Sequence, residues 1–271
     1  MSADIALMLG GLVASGLFAG FIGGLFGVGG GIVLVPALFV LFGAVHVGDA
    51  VRMHVAIATS LSTIVTTSWR SLAAHTKAGA VNVEILRSWS PWIALGAIAG
   101  AALAGLASKD ALLIVFGCGL LPVAVQMGFG NESWRLASTM PTGAARAGVA
   151  GVLGVISALM GIGGGAFGVP LMTLFGRPIH QAVATASGFG AVIALPATLG
   201  YAIAGWGRAG LPPWSLGFVS LPGFAVVAAL TALTAPLGAR AAHRLEQKVL
   251  RRAFAAFLAI TALNMLRSAF T

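Results

Sequence analysis

The chain has 271 residues, 59% of them apolar and only 8% charged, with a mean hydropathy of +1.02 and a formal net charge of +9. Soluble domains carry roughly 25% charged residues, so the composition excludes an ordinary soluble protein. The 15 Lys and Arg residues lie between apolar runs, where they flank inserted helices, and this argues against a nucleic-acid partner. No series of ten-residue alternating strands is present, which argues against an outer-membrane barrel.

In chain order, residues 5–48, 88–108, 111–131, 147–176, 178–207 and 209–239 hold no Asp, Glu, Lys or Arg. About 20 apolar residues cross a bilayer as helix. The pattern predicts helices near 5–26, 32–43, 54–70, 88–107 and 111–129. A second series follows near 147–161, 166–176, 180–205, 214–236 and 250–267. Residues 1–130 thus read as a first transmembrane repeat, 131–146 as a cytoplasmic linker and 147–271 as a second repeat. Residues 1–26 lack a basic leader and read as a retained segment. Cys118, the single cysteine, reads as a packing residue inside an apolar run.

Two glycine clusters break these runs. Gly20–Leu38 and Gly154–Met172 are identical at nine of nineteen aligned positions. The shared residues include Gly27, Gly29, Gly30, Gly31 and Pro36, matched by Gly161, Gly163, Gly164, Gly165 and Pro170. Paired Gly/Pro interruptions in two halves of a membrane protein point to a transporter's binding site. Unwound backbone in a bilayer needs a cavity or protein around it. Glycine removes side chains from a ligand's path, and the next helix would begin with free N–H groups that attract an anion. By contrast, the scattered Gly96, Gly100 and Gly105 read as close helix crossings.

If each broken unit is a hairpin or a pair of crossings, three single crossings remain per half, and the second half is inverted. The basic residues agree, since eleven of the fifteen then fall on one side. The expected fold is an all-α polytopic membrane protein of two inverted-topology repeats. Each has a Gly-broken helix and half-helix unit plus three further transmembrane helices, with both termini on the non-cytoplasmic side.

A second matched element runs Ala56–Ser62 and Ala182–Gly188, aligning Thr59 with Thr185 and placing Ser60 and Ser187 nearby. These hydroxyls are candidate donors to an oxyanion, although back-bonding to their own helix would explain them equally. Thr63, Thr66, Thr67 and Ser68 read as packing residues. His46, His54 and His180 lie near segment junctions, where proton linkage is conceivable because histidine titrates near neutrality. Arg52 and Arg177 are candidate gating residues or plain topological anchors. All six acids fall outside or at the ends of the expected spans, so no intramembrane carboxylate is available for ion coupling.

At these residues the chain resembles the TauE/SafE family of sulfite and organosulfur-anion exporters, also called the TSUP family. The resemblance rests on Gly27-Val28-Gly29-Gly30-Gly31 with Pro36, the second copy ending at Pro170, and the segments at Thr59 and Thr185. The second segment departs from the Thr-Ser pattern by reading Thr-Ala-Ser. The resemblance implies export of a small inorganic or organosulfur anion, such as sulfite or sulfoacetate, across the cytoplasmic (inner) membrane. The expected protein is a secondary carrier working by alternating access, with no cofactor, metal or catalytic residue. An anion channel, an importer and an intramembrane enzyme remain as alternatives. Substrate identity and oligomeric state stay open.

Overall fold

The computed structural model describes residues 2–26, 30–130, 135–242 and 247–270. Gly27 and Gly29 lie outside the described residues. Ten helices are described: α1 (Ser2–Phe26), α2 (Gly31–Ala44), α3 (Asp49–Lys77), α4 (Val83–Leu106), α5 (Lys109–Phe129), α6 (Gly143–Met160), α7 (Gly165–Leu174), α8 (Ile179–Ala204), α9 (Leu221–Ala242) and α10 (Gln247–Ala269). A short antiparallel hairpin, β1 (Ser215–Leu216) with β2 (Val219–Ser220), precedes α9.

Local chemistry explains most of the boundaries. Asn82 and Ser108 cap α4 and α5 by accepting from the N–H groups of Ile85 and Ala111. Gly161 ends α6 in the left-handed conformation at φ 69° and ψ 29°, which glycine alone adopts without a Cβ penalty. Two boundaries differ from the sequence expectation. The helix expected near 54–70 runs from Asp49 to Lys77. Asp49 stands in its added first turn, where an acid is favourable, and Thr76 bonds back to Leu72 in the last. Conversely, α9 begins at Leu221 rather than near 214. Pro212 and Pro213 bias the residues before them toward extended backbone, and Trp214 and Gly217 turn the chain at φ 60° and 55°.

α3 and α8 form the centre. Every residue of α3 from Met53 to Ile64 is buried, and 61% of the α8 span is enclosed against 22% for the spans in α1 and α9. The outer helices turn Leu103, Leu106, Phe129 and Leu233 outward, a surface that only hydrocarbon would cover without penalty. Six of the helices are long and apolar enough to cross a membrane, and two shorter apolar ones, α2 and α7, follow the glycine breaks. This is an all-α polytopic membrane protein.

The packing respects the sequence repeat. α1 packs on α9 and α4 on α6; α2 packs on α3 and α7 on α8; α3 meets α8 and α5 meets α10. Exchanging the two halves maps these pairs onto one another. Small residues permit the close approaches, as in other membrane bundles. A Cβ on Gly100 would lie 2.7 Å from the carbonyl oxygen of Val155, and Gly96 abuts Gly151 across the same α4–α6 seam. Gly105 faces Ala204. All three therefore serve packing.

The bundle has two polar ends. At the first, Gly48 donates to Gly210 at 3.0 Å and Lys109 meets Asp49 at 2.7 Å. At the second, Leu136 donates to the carbonyl of Leu174 at 2.8 Å. The α1–α2 hairpin opens at the first end, with Gly11 against Leu41. The α6–α7 hairpin opens at the second.

Candidate substrate site at the paired glycine breaks

The second break is the better defined. Gly161, Ile162, Gly163 and Gly164 are all buried between α6 and α7. Ile162 bonds back to Ser157 at 3.0 Å, and the first bond inside α7 runs from Gly168 to Gly164 at 2.8 Å. Between them, the N–H groups of Gly163, Gly164, Gly165, Ala166 and Phe167 find no acceptor among the described residues. The first turn of any helix leaves four such donors, but here one further glycine N–H group, that of Gly163, precedes them.

In the first break, Gly30 takes φ 47° and its carbonyl accepts from Val33 and Leu34 at the start of α2. The two breaks touch. A Cβ on Gly31 would lie 2.8 Å from the Gly161 carbonyl oxygen and 3.2 Å from the Ile162 Cα. The central helices form the wall. A Cβ on Gly163 would meet Ile64 of α3 at 3.2 Å, and one on Gly164 would meet Phe189 Cβ of α8 at 2.5 Å. Absent side chains are therefore what allow the breaks and α8 to approach.

The hydroxyls expected near the breaks take three different roles. Ser60 donates across the halves to the Gly161 carbonyl at 2.8 Å, so it holds the break's backbone. Ser187 donates at 2.6 Å to Ala184 of its own helix, which is ordinary back-bonding. Thr59 and Thr185, both fully buried, are acceptors. Thr59 Oγ1 accepts from the Ser220 N–H at 3.1 Å, and Thr185 Oγ1 accepts from the Asn82 N–H at 2.9 Å. Ser220 and Asn82 in turn accept from Gly223 and Ile85, three residues on. Sequence reasoning did not single out Asn82 and Ser220. Their signal was positional: both are cap-type residues opening the fourth helix of a half, but the hairpin at 215–220 hid one of them. A third unanticipated group is Ser157, fully buried one turn before Gly161, whose hydroxyl has no partner among the described residues.

The candidate gating residues lie elsewhere. His46 and His180 are exposed at the starts of α3 and α8, away from the breaks. His54 is buried, with Nε2 3.0 Å from the Ala104 carbonyl and its ring stacked on Phe218 at 4.8 Å. It thereby ties α3 to α4 and to the hairpin before α9. Arg52 pairs with Asp49 at 3.0 Å and lies over the Phe39 ring at 4.2 Å. Arg177 is half-buried in the α7–α8 turn, and its Nε has no partner among the described residues. Asp49, at the aqueous first end, is held below the usual carboxylate range chiefly by the hydrogen bond from Lys109, against a small opposing effect of burial.

No group of three His, Cys, Asp or Glu among the described residues could hold a metal ion. A crevice of about 340 Å³ opens between α3, α4 and α8, but Trp69, Leu72, Leu86, Val192 and Leu195 make it apolar. Its chemistry does not suit an anion. At the second break, the Ser157 hydroxyl and the backbone donors that find no acceptor among the described residues lie in a low-dielectric interior, which strengthens their attraction for charge.

Comparison with known proteins agrees with this architecture. The family description sulfite exporter TauE/SafE matches residues 12–265. A probable membrane transporter protein of Haemophilus influenzae is 32% identical over 252 residues, covering 92% of this chain and 95% of its own. One of Methanocaldococcus jannaschii is 25% identical over 270 residues, covering 97% of each chain. The probable membrane transporter YunE of Bacillus subtilis is 30% identical over 196 residues, 64% of this chain and 71% of its own. No solved structure matches.

Proposed function

The chain belongs to the sulfite exporter TauE/SafE family, and from that premise we propose that it carries a small sulfur-containing anion outward across the cytoplasmic membrane. It is a multi-pass membrane transporter and not an enzyme. The observation that carries the substrate reading is the meeting of the two breaks, Gly31 against Gly161, beside five N–H groups that find no acceptor among the described residues. Such donors favour an oxyanion such as sulfite or sulfoacetate. In this reading the backbone of Gly27, Gly29, Gly30, Gly31, Gly161, Gly163, Gly164 and Gly165 cradles the anion. The hydroxyl protons of Thr59 and Thr185 have no acceptor among the described residues, and each is available to the anion on its own side of the breaks.

Transport by alternating access is supported by hairpins that open at opposite ends of the bundle, as inverted halves would. Arg70, Lys77, Arg87, Arg135, Arg146 and Arg177 cluster at the second end. The positive-inside rule makes that end cytoplasmic and puts both termini outside. Burial of Gly161–Gly164 suits a carrier's occluded state better than an open channel. Without an intramembrane acid, the driving force in this reading is the anion's gradient and the inside-negative potential, about 2.3 kcal/mol per charge per 100 mV.

The test is thermal stabilisation of the purified protein against sulfite, thiosulfate, sulfoacetate, taurine, sulfate and cobalt. A ligand of the folded state raises the apparent melting temperature by mass action. We expect one sulfur oxyanion to raise it. A shift with cobalt alone, or with none of the anions, would overturn the reading.

A further inference from the structure

The Thr59 and Thr185 hydroxyls make one bond twice, at opposite ends of the bundle. Thr59 of α3 holds the start of α9 at the first end; Thr185 of α8 holds the start of α4 at the second. Each bond crosses the halves, joining the central helix of one to the fourth helix of the other. Each also continues into a cap, Ser220 to Gly223 at 3.2 Å and Asn82 to Ile85 at 2.9 Å. Both threonines are fully buried, and neither bonds back to its own helix as Thr63 and Thr67 do.

We propose that these two bonds are the latches of the two gates, Thr59 with Ser220 closing the first end and Thr185 with Asn82 closing the second. With both made, as here, the site is shut from both sides. A backbone N–H freed inside a dry bundle lacks any partner and is costly. An end that opens admits water, which satisfies the freed N–H and hydroxyl. Each latch therefore has two stable states, bonded when dry and hydrated when open. Because each spans the halves, rocking one half against the other releases one latch while compressing the other, which keeps both from opening at once. The proposal rests on alternating access but not on the identity of the anion.

The experiment measures thiol labelling in lipid nanodiscs without substrate, in a Cys118→Ala background. Val219→Cys, beside Ser220, reports on the first end, and Ile85→Cys on the second; Val219 and Ile85 are 4% and 6% exposed. Thr59→Val should speed labelling at the first end about tenfold, the effect of losing one hydrogen bond, and leave the second unchanged or slower. Thr185→Val should do the mirror image, and Thr→Ser at either site should label like the parent. Should a valine variant not fold, Thr59→Ala and Thr185→Ala give the same reading. Unchanged rates at both ends, or equal acceleration at both, would overturn the proposal. Because no anion is present, this outcome is independent of the thermal-shift panel.

Discussion

The two halves share the threonine bond and differ in the serine beside it. Thr59 aligns with Thr185, but Ser60 aligns with Ala186, so only the first half reaches across to bond the other's break. The second break is also tightly packed, since a Cβ on Gly164 would meet Gly190 N at 2.6 Å and the Ala186 carbonyl at 2.7 Å. Among the described residues, a Cβ on Gly30 would meet the Ala19 carbonyl alone, at 3.7 Å. The threonine bond is made in both halves, while the serine brace is made in one. Duplicated folds need not stay equivalent in their rigidity.

The contrast is most sharply tested at the glycines. Gly164→Ala drives a Cβ into backbone that cannot move aside, and should destabilise the protein by about 3 kcal/mol and abolish transport. Gly30→Ala has space and should cost only about 1–2 kcal/mol for its positive φ. Thermal melts of the two variants, with sulfite flux in proteoliposomes, measure the difference. Equal losses would break the comparison.

Next in size are the serines. Ser60→Ala leaves the Gly161 carbonyl buried without its donor, an expected loss of roughly 1–3 kcal/mol. Ser187→Ala removes a back-bond whose carbonyl stays in the helix ladder, and should change stability by less than about 0.5 kcal/mol. Paired melting curves decide between a braced second break and two equivalent ones.

The smallest effect belongs to the ion pairs at the first end. Asp49 is 64% exposed, so solvent screening leaves its pairing with Lys109 and Arg52 worth at most a few tenths of a kcal/mol. Its carboxyl titrates below the ordinary 3.8 when folded. The contribution is therefore present above that pH and lost as pH falls below it. Asp49→Asn should lower the melting temperature slightly at neutral pH, and the difference should shrink as pH falls below 3.8.

Much of this molecule was legible in order along the chain. Uncharged runs place the helices, because hydrocarbon tolerates little else, and the Gly-rich repeats place both interruptions within a few residues of α6–α7 and α1–α2. The end of α6 is readable from Gly161, since it is followed after Ile162 by three consecutive glycines, which favour a break in a helix. The start of α9 is not, because residues 214–220 are apolar enough to pass for helix while Pro212, Pro213 and Gly217 turn them. The roles of the hydroxyls are illegible for a different reason. Thr59, Thr63 and Ser187 look alike in sequence, and only their neighbours in space distinguish an acceptor across the halves from a back-bond.

Composition and repetition alone therefore determine that the chain enters a membrane, that one glycine motif occurs in it twice, and where the apolar runs are interrupted. Those properties follow from the solvent and from backbone freedom, which act residue by residue. That the breaks meet, that Ser60 braces only one, and that each threonine holds the far half's fourth helix were decided by tertiary structure. Hydrogen-bond partners 101 to 161 residues apart are chosen by how the helices pack, and no local rule names them.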